Sequence, residues 1–154
     1  LLALFVITFL GPSVVNVILV IGLLYIPRFA RVAHGATLAI HQAEYVQAAY
    51  ALGASHGRAL RRAILPNIAA PLFVQTSLGL GHAILLESGL SFLGLGAQPP
   101  MPEWGLMVSD GRQFLVDQWW VSTLPGLAIL VVVMGFNLLG DGIRDVLDPH
   151  QRQG

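Results

Sequence analysis

Glu44–Pro66, EYVQAAYALGASHGRALRRAILP, does not look like a membrane span, although it lies between two long apolar segments. It predicts two short helices joined by a turn. The first helix is rich in alanine and runs from Glu44 to Leu52, and Gly53 suits the left-handed conformation that often follows a helix. Ser55 can cap the second helix. We expect that helix to end before Pro66, because proline cannot donate the next helical hydrogen bond.

The chain as a whole has the composition of a membrane protein. Hydrophobic residues make up 55% of its 154 residues, charged residues make up 10%, and the mean hydropathy is +0.73. A soluble domain is about 25% charged. There is no cysteine, which excludes disulfides and Cys-ligated zinc. There is no lysine either, which excludes a Walker A phosphate-binding loop.

The apolar segments on either side of the loop are long enough to cross a bilayer, which takes roughly 20 residues per helix. We therefore expect an all-α fold of polytopic transmembrane helices. The predicted segments are the tail of one span (1–10), a span (about 14–33), a loop (43–66), a span (about 67–90), an exterior loop (95–120), a span (121–140) and a tail (141–154).

Arginine is distributed unevenly between the two sides of these spans. Arg112 alone falls in the predicted exterior loop. The other seven are Arg28, Arg31, Arg58, Arg61, Arg62, Arg144 and Arg152. Because positive residues concentrate on the cytoplasmic side of membrane proteins, the loop at 43–66 and the C-terminus should be cytoplasmic and the loop at 95–120 periplasmic.

The loop at 43–66 is expected to dock a cytoplasmic partner. The alternative is a solvated loop with no partner. A solvated loop would not usually carry so many large apolar side chains with so few charges. These side chains are Tyr45, Val46, Tyr50 and Leu52.

Part of this loop resembles a family signature. Gln47-Ala48-Ala49, then Gly53, then Leu65-Pro66, is similar to the EAA loop of the membrane subunits of bacterial ATP-binding-cassette importers. Two positions depart from the family pattern: Gln47 replaces the usual glutamate, and Ala63 replaces a frequent isoleucine. Glu44 lies one helical turn before Gln47.

Two further motifs resemble the dipeptide, oligopeptide and nickel permease branch of that family. One is SFLGLG at 91–96, followed by QPP at 98–100 and WG at 104–105. The other is FNLLGDGIRD at 136–145, followed by LDP at 147–149. The resemblance covers nearly the whole chain. It implies that the first ten residues end a helix that starts earlier, so that this sequence is the C-terminal part of a longer subunit.

The resemblance implies part of a type I importer permease fold, multi-pass in the bacterial cytoplasmic (inner) membrane, with cytoplasmic EAA coupling helices. Its implied function is to translocate di- or oligopeptides, or a related solute such as nickel, by alternating access. The implied partners are a second permease subunit, two ABC ATPase subunits that bind ATP and Mg, a periplasmic or lipid-anchored solute-binding protein, and the bilayer. No catalytic residue, cofactor, metal or nucleic acid is expected in this chain.

The resemblance also implies which residues couple the permease to the ATPase. They are Glu44, Gln47, Ala48, Ala49, Gly53, Leu65 and Pro66.

The span at 67–90 is the most polar of the three, and its polar residues are candidates for the transport pathway. They are Gln75, Ser77, His82 and Glu87. Polar groups that face lipid are costly, so this side should face protein or water. For Gln75 and Ser77, helix–helix hydrogen bonding and solute contact both remain open. Glu87 can reach outward to water, pair across a dimer, or line the exit of the pathway.

The exterior loop begins with three prolines, which exclude a regular helix there. A short surface helix is expected at Val108–Val116. Trp104, Trp119 and Trp120 suit the membrane interface.

Two other functions compete with an importer subunit. The first is an ion-coupled secondary carrier that uses His82 and Glu87, a class that often has broken helices in two repeats. The second is an intramembrane enzyme. However, residues 89–93 lack the second glycine of a Gly-x-Ser-x-Gly site, and residues 138–141 lack the first glycine of a Gly-x-Gly-Asp site.

Overall fold

The structure is a computed structural model that describes residues 2–147. Within that range the protein is all-α and contains no strand, as the sequence predicts. The helical segments are α1 (Leu2–Leu10), α2 (Val14–His41), α3 (Glu44–Ala51), α4 (His56–Ala59), a π-helical turn (Leu60–Ile64), α5 (Leu65–Phe92), α6 (Trp104–Gly111), a 3-10 turn (Arg112–Phe114) and α7 (Trp120–Leu147).

Three helices are long and apolar enough to cross a membrane. They are Val14–His41, His56–Phe92 and Trp120–Val146. The second of these is one continuous helix made of α4, the π-helical turn and α5. Most side chains in the most apolar stretch of each of these helices are not buried within the chain. Lipid or other protein must therefore cover them.

Prolines lie inside all three long helices, and none of them ends its helix. Pro27 lies inside α2, Pro71 inside α5 and Pro125 inside α7. The expectation that the second helix ends before Pro66 is wrong, because the helical backbone continues through it into α5.

The π-helical turn directly before Pro66 explains this continuity. A proline ring in a regular helix crowds the preceding turn. The π-helical turn widens the helix at that place, with a Leu65 N–H bond to the Leu60 carbonyl five residues earlier. Directly after the proline, Asn67 Nδ2 donates to the Ala63 carbonyl at 2.7 Å. These bonds keep the helix intact on both sides of the proline.

Contacts divide the chain into two compact units, each with its own core. The first unit comprises Leu1–Tyr25 and Gly79–Asn137, and the second comprises Ile26–Leu78 and Leu138–Gly154. The first core contains Ile7, Val17, Val20, Ile21 and Leu90, so α1, α2 and the end of α5 pack together there. The second core contains Val46, Ile64 and Ile68.

The segment at 93–119, between α5 and α7 and expected on the exterior side, contains a helix that begins earlier than expected; we call it the exterior segment. α6 starts at Trp104, whereas the sequence predicts a surface helix over Val108–Val116. The reason is a cap: the Glu103 carboxylate accepts hydrogen bonds from the backbone N–H of Gly105 at 2.8 Å and of Leu106 at 2.7 Å. Capping these otherwise unpaired donors stabilises a helix start.

α6 is held between α5 and α7 by contacts on both sides. Ser109 Oγ donates to the Phe92 carbonyl at 3.0 Å, and Ser122 Oγ donates to the Val108 carbonyl at 3.1 Å. Gly105 and Gly111 permit the close approach: a Cβ on Gly111 would lie 2.8 Å from Ser122 Cα. The exterior segment is therefore packed tightly against the span ends.

Candidate functional site

α3 ends in a turn that requires glycine. Gly53 has φ +82°, a left-handed conformation, as the sequence predicts. Its N–H donates to the Tyr50 carbonyl at 2.9 Å, and the Ala54 N–H donates to the Ala49 carbonyl at 3.0 Å. This pair of bonds is a Schellman motif. No atom lies within 4 Å of the Cβ position, so the backbone conformation, and not lack of space, demands glycine here.

The start of α4 differs in one detail from the prediction. Ser55 occupies the N-cap position, but its side chain makes no capping hydrogen bond. Instead its carbonyl accepts the N–H groups of Arg58 at 2.9 Å and Ala59 at 3.0 Å. We call residues 44–59, which comprise α3, the Gly53 turn and α4, the 44–59 hairpin.

The hairpin shares a small core with the helix that follows it. Val46 is fully buried and packs with Ile64 and Ile68, so α3 lies against the π-helical turn and the first part of α5. The Tyr50 ring lies between two histidine rings, 5.7 Å from His41 and 5.4 Å from His56 between centroids. These contacts tie the end of α2, α3 and α4 into one body.

Gln47 fixes the start of the hairpin to the end of α2. Its Nε2 donates to the carbonyl of His41, the last residue of α2, at 3.1 Å. A glutamate at this position has no hydrogen to donate. The carboxamide therefore has a structural role that the usual family residue could not perform in this geometry.

α3 turns one apolar face outward. Tyr45, Ala48 and Leu52 follow the spacing of a single helix face, and all three are exposed. Leu52 is 89% exposed. We call Tyr45, Ala48 and Leu52 the outer face of the hairpin.

The structure places the seven coupling candidates in the same unit of the fold. Glu44, Gln47, Ala48 and Ala49 lie on α3, Gly53 forms its terminal turn, and Leu65 and Pro66 begin α5. Ala49 is half-buried and the other six are exposed.

Sequence reasoning did not find the ring contacts of Tyr50 with His41 and His56. No spacing in the sequence indicates this arrangement, because the three rings lie on three different helices.

The four pathway candidates lie in different units. Gln75 and Ser77 belong to the second unit, and both are buried. A Cβ on Gly140 would lie 3.2 Å from Ser77 Cβ, so Ser77 marks a close contact between α5 and α7. Gln75 Nε2 is buried and has no hydrogen-bond partner among residues 2–147. His82 belongs to the first unit, and its side chain is exposed.

Glu87 belongs to the first unit and lies near the end of α5. It is half-buried and accepts a hydrogen bond from Ser91 Oγ at 2.9 Å. Ser91 Oγ in turn accepts the N–H of Ala97 at 3.2 Å. Glu87 also lines a cavity of about 350 Å³, together with Glu103 and Trp104 from the exterior segment. These contacts join its carboxyl group to the segment that follows α5.

The motif at 91–96 has a structural explanation. Gly94 has φ +77°, and its N–H donates to the Ser91 carbonyl at 2.9 Å. The Leu95 N–H donates to the Leu90 carbonyl at 2.9 Å, which completes a second Schellman motif. A Cβ on Gly96 would lie 2.9 Å from Ser91 Cα, so only glycine fits there. The motif therefore ends α5 and folds the chain back onto it.

In residues 2–147, no group of three or more His, Cys, Asp or Glu side chains could hold a metal ion. The motif at 147–149 extends outside the described residues.

Comparison with known proteins identifies the family. The family of binding-protein-dependent transport system inner membrane components matches residues 1–153. The chain belongs to this family. This confirms the resemblance that its motifs indicate. The chain is thus an integral membrane component of a transport system, located in the inner membrane, and such a component is not itself an enzyme.

Individual relatives are similar over most of the chain. A dipeptide transport system permease protein from Alkalihalophilus pseudofirmus is 46% identical over 152 residues, which is 99% of this chain and 50% of the relative. A probable D,D-dipeptide transport system permease protein from Escherichia coli is 51% identical over 140 residues, 91% of this chain and 47% of the relative. The dipeptide transport system permease protein of Escherichia coli is 48% identical over 153 residues, 99% of this chain and 51% of the relative. The chain spans about half the length of these curated relatives.

Proposed function

We propose that this chain is part of a permease subunit of an ATP-binding-cassette importer for di- or oligopeptides, and that its 44–59 hairpin docks against a separate cytoplasmic ATPase. The observation that carries the docking role is the hairpin itself. It is internally packed, it is continuous with a membrane-spanning helix, and it presents an exposed apolar outer face. The peptide substrate rests on the names of the relatives, and nickel or another small solute is the alternative.

The proposed mechanism is alternating access driven from the cytoplasm. The ATPase subunits bind ATP and Mg, since a chain without lysine has no Walker A loop. Closure of the ATPase displaces the hairpin. Because α4, the π-helical turn and α5 form one helix, the displacement passes directly into the span His56–Phe92. The hairpin thus acts as a lever and the span as the element that it moves.

The same proposal assigns partners and orientation. Seven of the eight arginines lie in segments expected on the cytoplasmic side, which supports a cytoplasmic hairpin and C-terminus. We assign the exposed sides of the spans to a second permease subunit and lipid, since few of their side chains are buried within the chain. The exterior segment carries Glu103, Asp110 and Asp117 against Arg112, and we assign it to the periplasmic or lipid-anchored solute-binding protein.

The docking role is tested by filling the outer face. Ala48→Trp adds a large side chain at an exposed position of α3 without entering the hairpin core, so the span and the hairpin should remain folded. We expect the variant to reach the membrane and to lose co-purifying ATPase or peptide uptake. Ala39→Trp, at an exposed position of α2 in the same unit, is the matched control and should retain both. Normal uptake and ATPase recovery with Ala48→Trp would refute docking at this face.

A further inference from the structure

Three arginines at the start of the span His56–Phe92 have no partner in the described part of the protein. Arg58, Arg61 and Arg62 line an open groove of about 610 Å³, and all three are exposed. None of their guanidinium groups makes a hydrogen bond or an ion pair with any residue between 2 and 147. The nearest acidic residues along the chain are Glu44 and Glu87. The groove therefore carries uncompensated positive charge and attracts an anion.

The position of the groove along the helix places it at the level of lipid headgroups. Residues 63–86 contain no charged side chain, and they continue the same helix as the arginines. A bilayer core takes roughly 20 residues of helix. The guanidinium groups therefore lie within about one turn of the edge of the hydrocarbon, where the phosphate groups of phospholipids are found.

The groove also offers apolar surface beside the charges. Leu60 lines the groove and is 46% exposed, and Leu65, on the following turn, is 52% exposed. Guanidinium groups bind phosphate oxygens through paired N–H donors. A surface that combines phosphate donors with exposed leucine side chains suits an amphiphile better than a free inorganic anion.

We propose that Arg58, Arg61 and Arg62 form a binding site for the phosphate of an anionic phospholipid, such as phosphatidylglycerol, with an acyl chain lying along Leu60 and Leu65. The lipid anchors the end of the span at the membrane surface. The anchor gives the helix a fixed point close to the hairpin. The three arginines do not belong to the outer face of the hairpin, so their role can be tested separately from ATPase docking, although Leu65 is also one of the coupling candidates.

The test measures lipid selectivity directly. The purified full-length subunit is reconstituted in phosphatidylcholine vesicles that contain spin-labelled phosphatidylglycerol or spin-labelled phosphatidylcholine, and the immobilised fraction of each label is recorded. The wild type should prefer the anionic label. Replacing all three arginines of the groove with glutamine should lower that preference by roughly fivefold for each arginine.

The matched control removes the same charge elsewhere. Arg28→Gln, Arg31→Gln and Arg144→Gln together should leave most of the preference intact. An equal loss in the control would mean diffuse attraction and would overturn the site, as would an unchanged preference in the groove variant. If the triple variant does not accumulate, Arg62→Gln and Arg144→Gln give the same comparison singly. Only Arg62→Gln should reduce the preference, and equal effects would again overturn the site.

Two other ligands are distinguished in the same samples. Excess inorganic phosphate should not displace the labelled phosphatidylglycerol, because free phosphate has no acyl chain to bind the leucines. Displacement would overturn the lipid assignment. If the groove variant loses its co-purifying ATPase while its lipid selectivity is unchanged, the arginines serve protein docking, and the lipid site is refuted.

Discussion

At the scale of single residues, Gly53 and Gln47 define the geometry of the 44–59 hairpin. Gly53 reverses the chain after α3 in a left-handed conformation. Gln47 fastens α3 to the last carbonyl of α2. Gly53 acts through its backbone conformation, and Gln47 acts through a side-chain hydrogen bond. Each can therefore be tested by a single substitution.

Gly53→Ala should strain the turn. The left-handed conformation costs a residue with a Cβ about 1–2 kcal/mol of conformational free energy. We expect faster amide hydrogen exchange in the residues of the Gly53 turn and in α3. We also expect reduced substrate-stimulated ATP hydrolysis in the assembled importer. Gly57→Ala is the control, because Gly57 has open space at its Cβ position and no left-handed backbone. Equal exchange rates in the two variants would contradict the role of the turn.

Gln47→Glu should loosen the contact between α2 and α3. The glutamate loses the bond to the His41 carbonyl, and its negative charge lies beside the C-terminal end of a helix dipole. A lost hydrogen bond of about 1 kcal/mol should speed exchange in α3 roughly fivefold. Gln42→Glu is the control. It brings the same charge close to the same helix end, and the Gln42 side chain makes no hydrogen bond within residues 2–147. A larger effect from Gln42→Glu would show that charge, and not the bond, matters.

At the scale of secondary-structure elements, two features determine how the span at His56–Phe92 is connected: the continuity of that helix and the packing of α6. The helix His56–Phe92 is continuous and begins within the hairpin. α6 lies against both α5 and α7 through its serines and glycines. The first feature connects the hairpin covalently to the start of the span, and the second packs α6 against the end of α5 and the start of α7.

The packing of α6 predicts a sharp steric effect at Gly111. Gly111→Ala would place a Cβ 2.8 Å from the Ser122 backbone, and such overpacking costs about 1–3 kcal/mol. We expect α6 to separate from α7, so trypsin should cleave purified protein after Arg112 faster than in the wild type. Gly126→Ala, at a glycine with open space on α7, should not change the cleavage rate. Unchanged cleavage with Gly111→Ala would argue against a tightly packed α6.

The sequence predicts some of these elements and misses others for identifiable reasons. A glycine after an alanine-rich helix indicates the Gly53 turn, because few other residues adopt its conformation. Pro66 looks like a boundary, but its helix continues because a π-helical turn precedes it, and sequence periodicity does not reveal such a turn. The start of α6 was missed because Glu103 caps it with two hydrogen bonds, a role more usual for Ser, Thr, Asp or Asn.

At the scale of the whole molecule, the chain is an all-α inner-membrane component whose spans are covered largely by something other than itself. Composition and motif order were sufficient to predict the fold class and the family. The candidate site was only partly predictable. The sequence indicates the two short helices and their turn, and the coupling role of this segment stays a prediction. The direction of each α3 side chain depends on packing against Ile64 and Ile68, which lie outside α3.

The central claim is that the outer face of the hairpin meets an ATPase, and the most direct measurement is a cross-link. The chain contains no cysteine, so Leu52→Cys introduces a single thiol at an 89% exposed position. In the importer assembled with cysteine-free partners, a thiol-directed photo-cross-linker on that residue should join the chain to an ATPase subunit. Val116→Cys, at a 94% exposed position in the exterior segment, should give no such product. If Leu52→Cys does not cross-link to the ATPase, or if Val116→Cys does so equally, the account of the hairpin as a coupling element is contradicted.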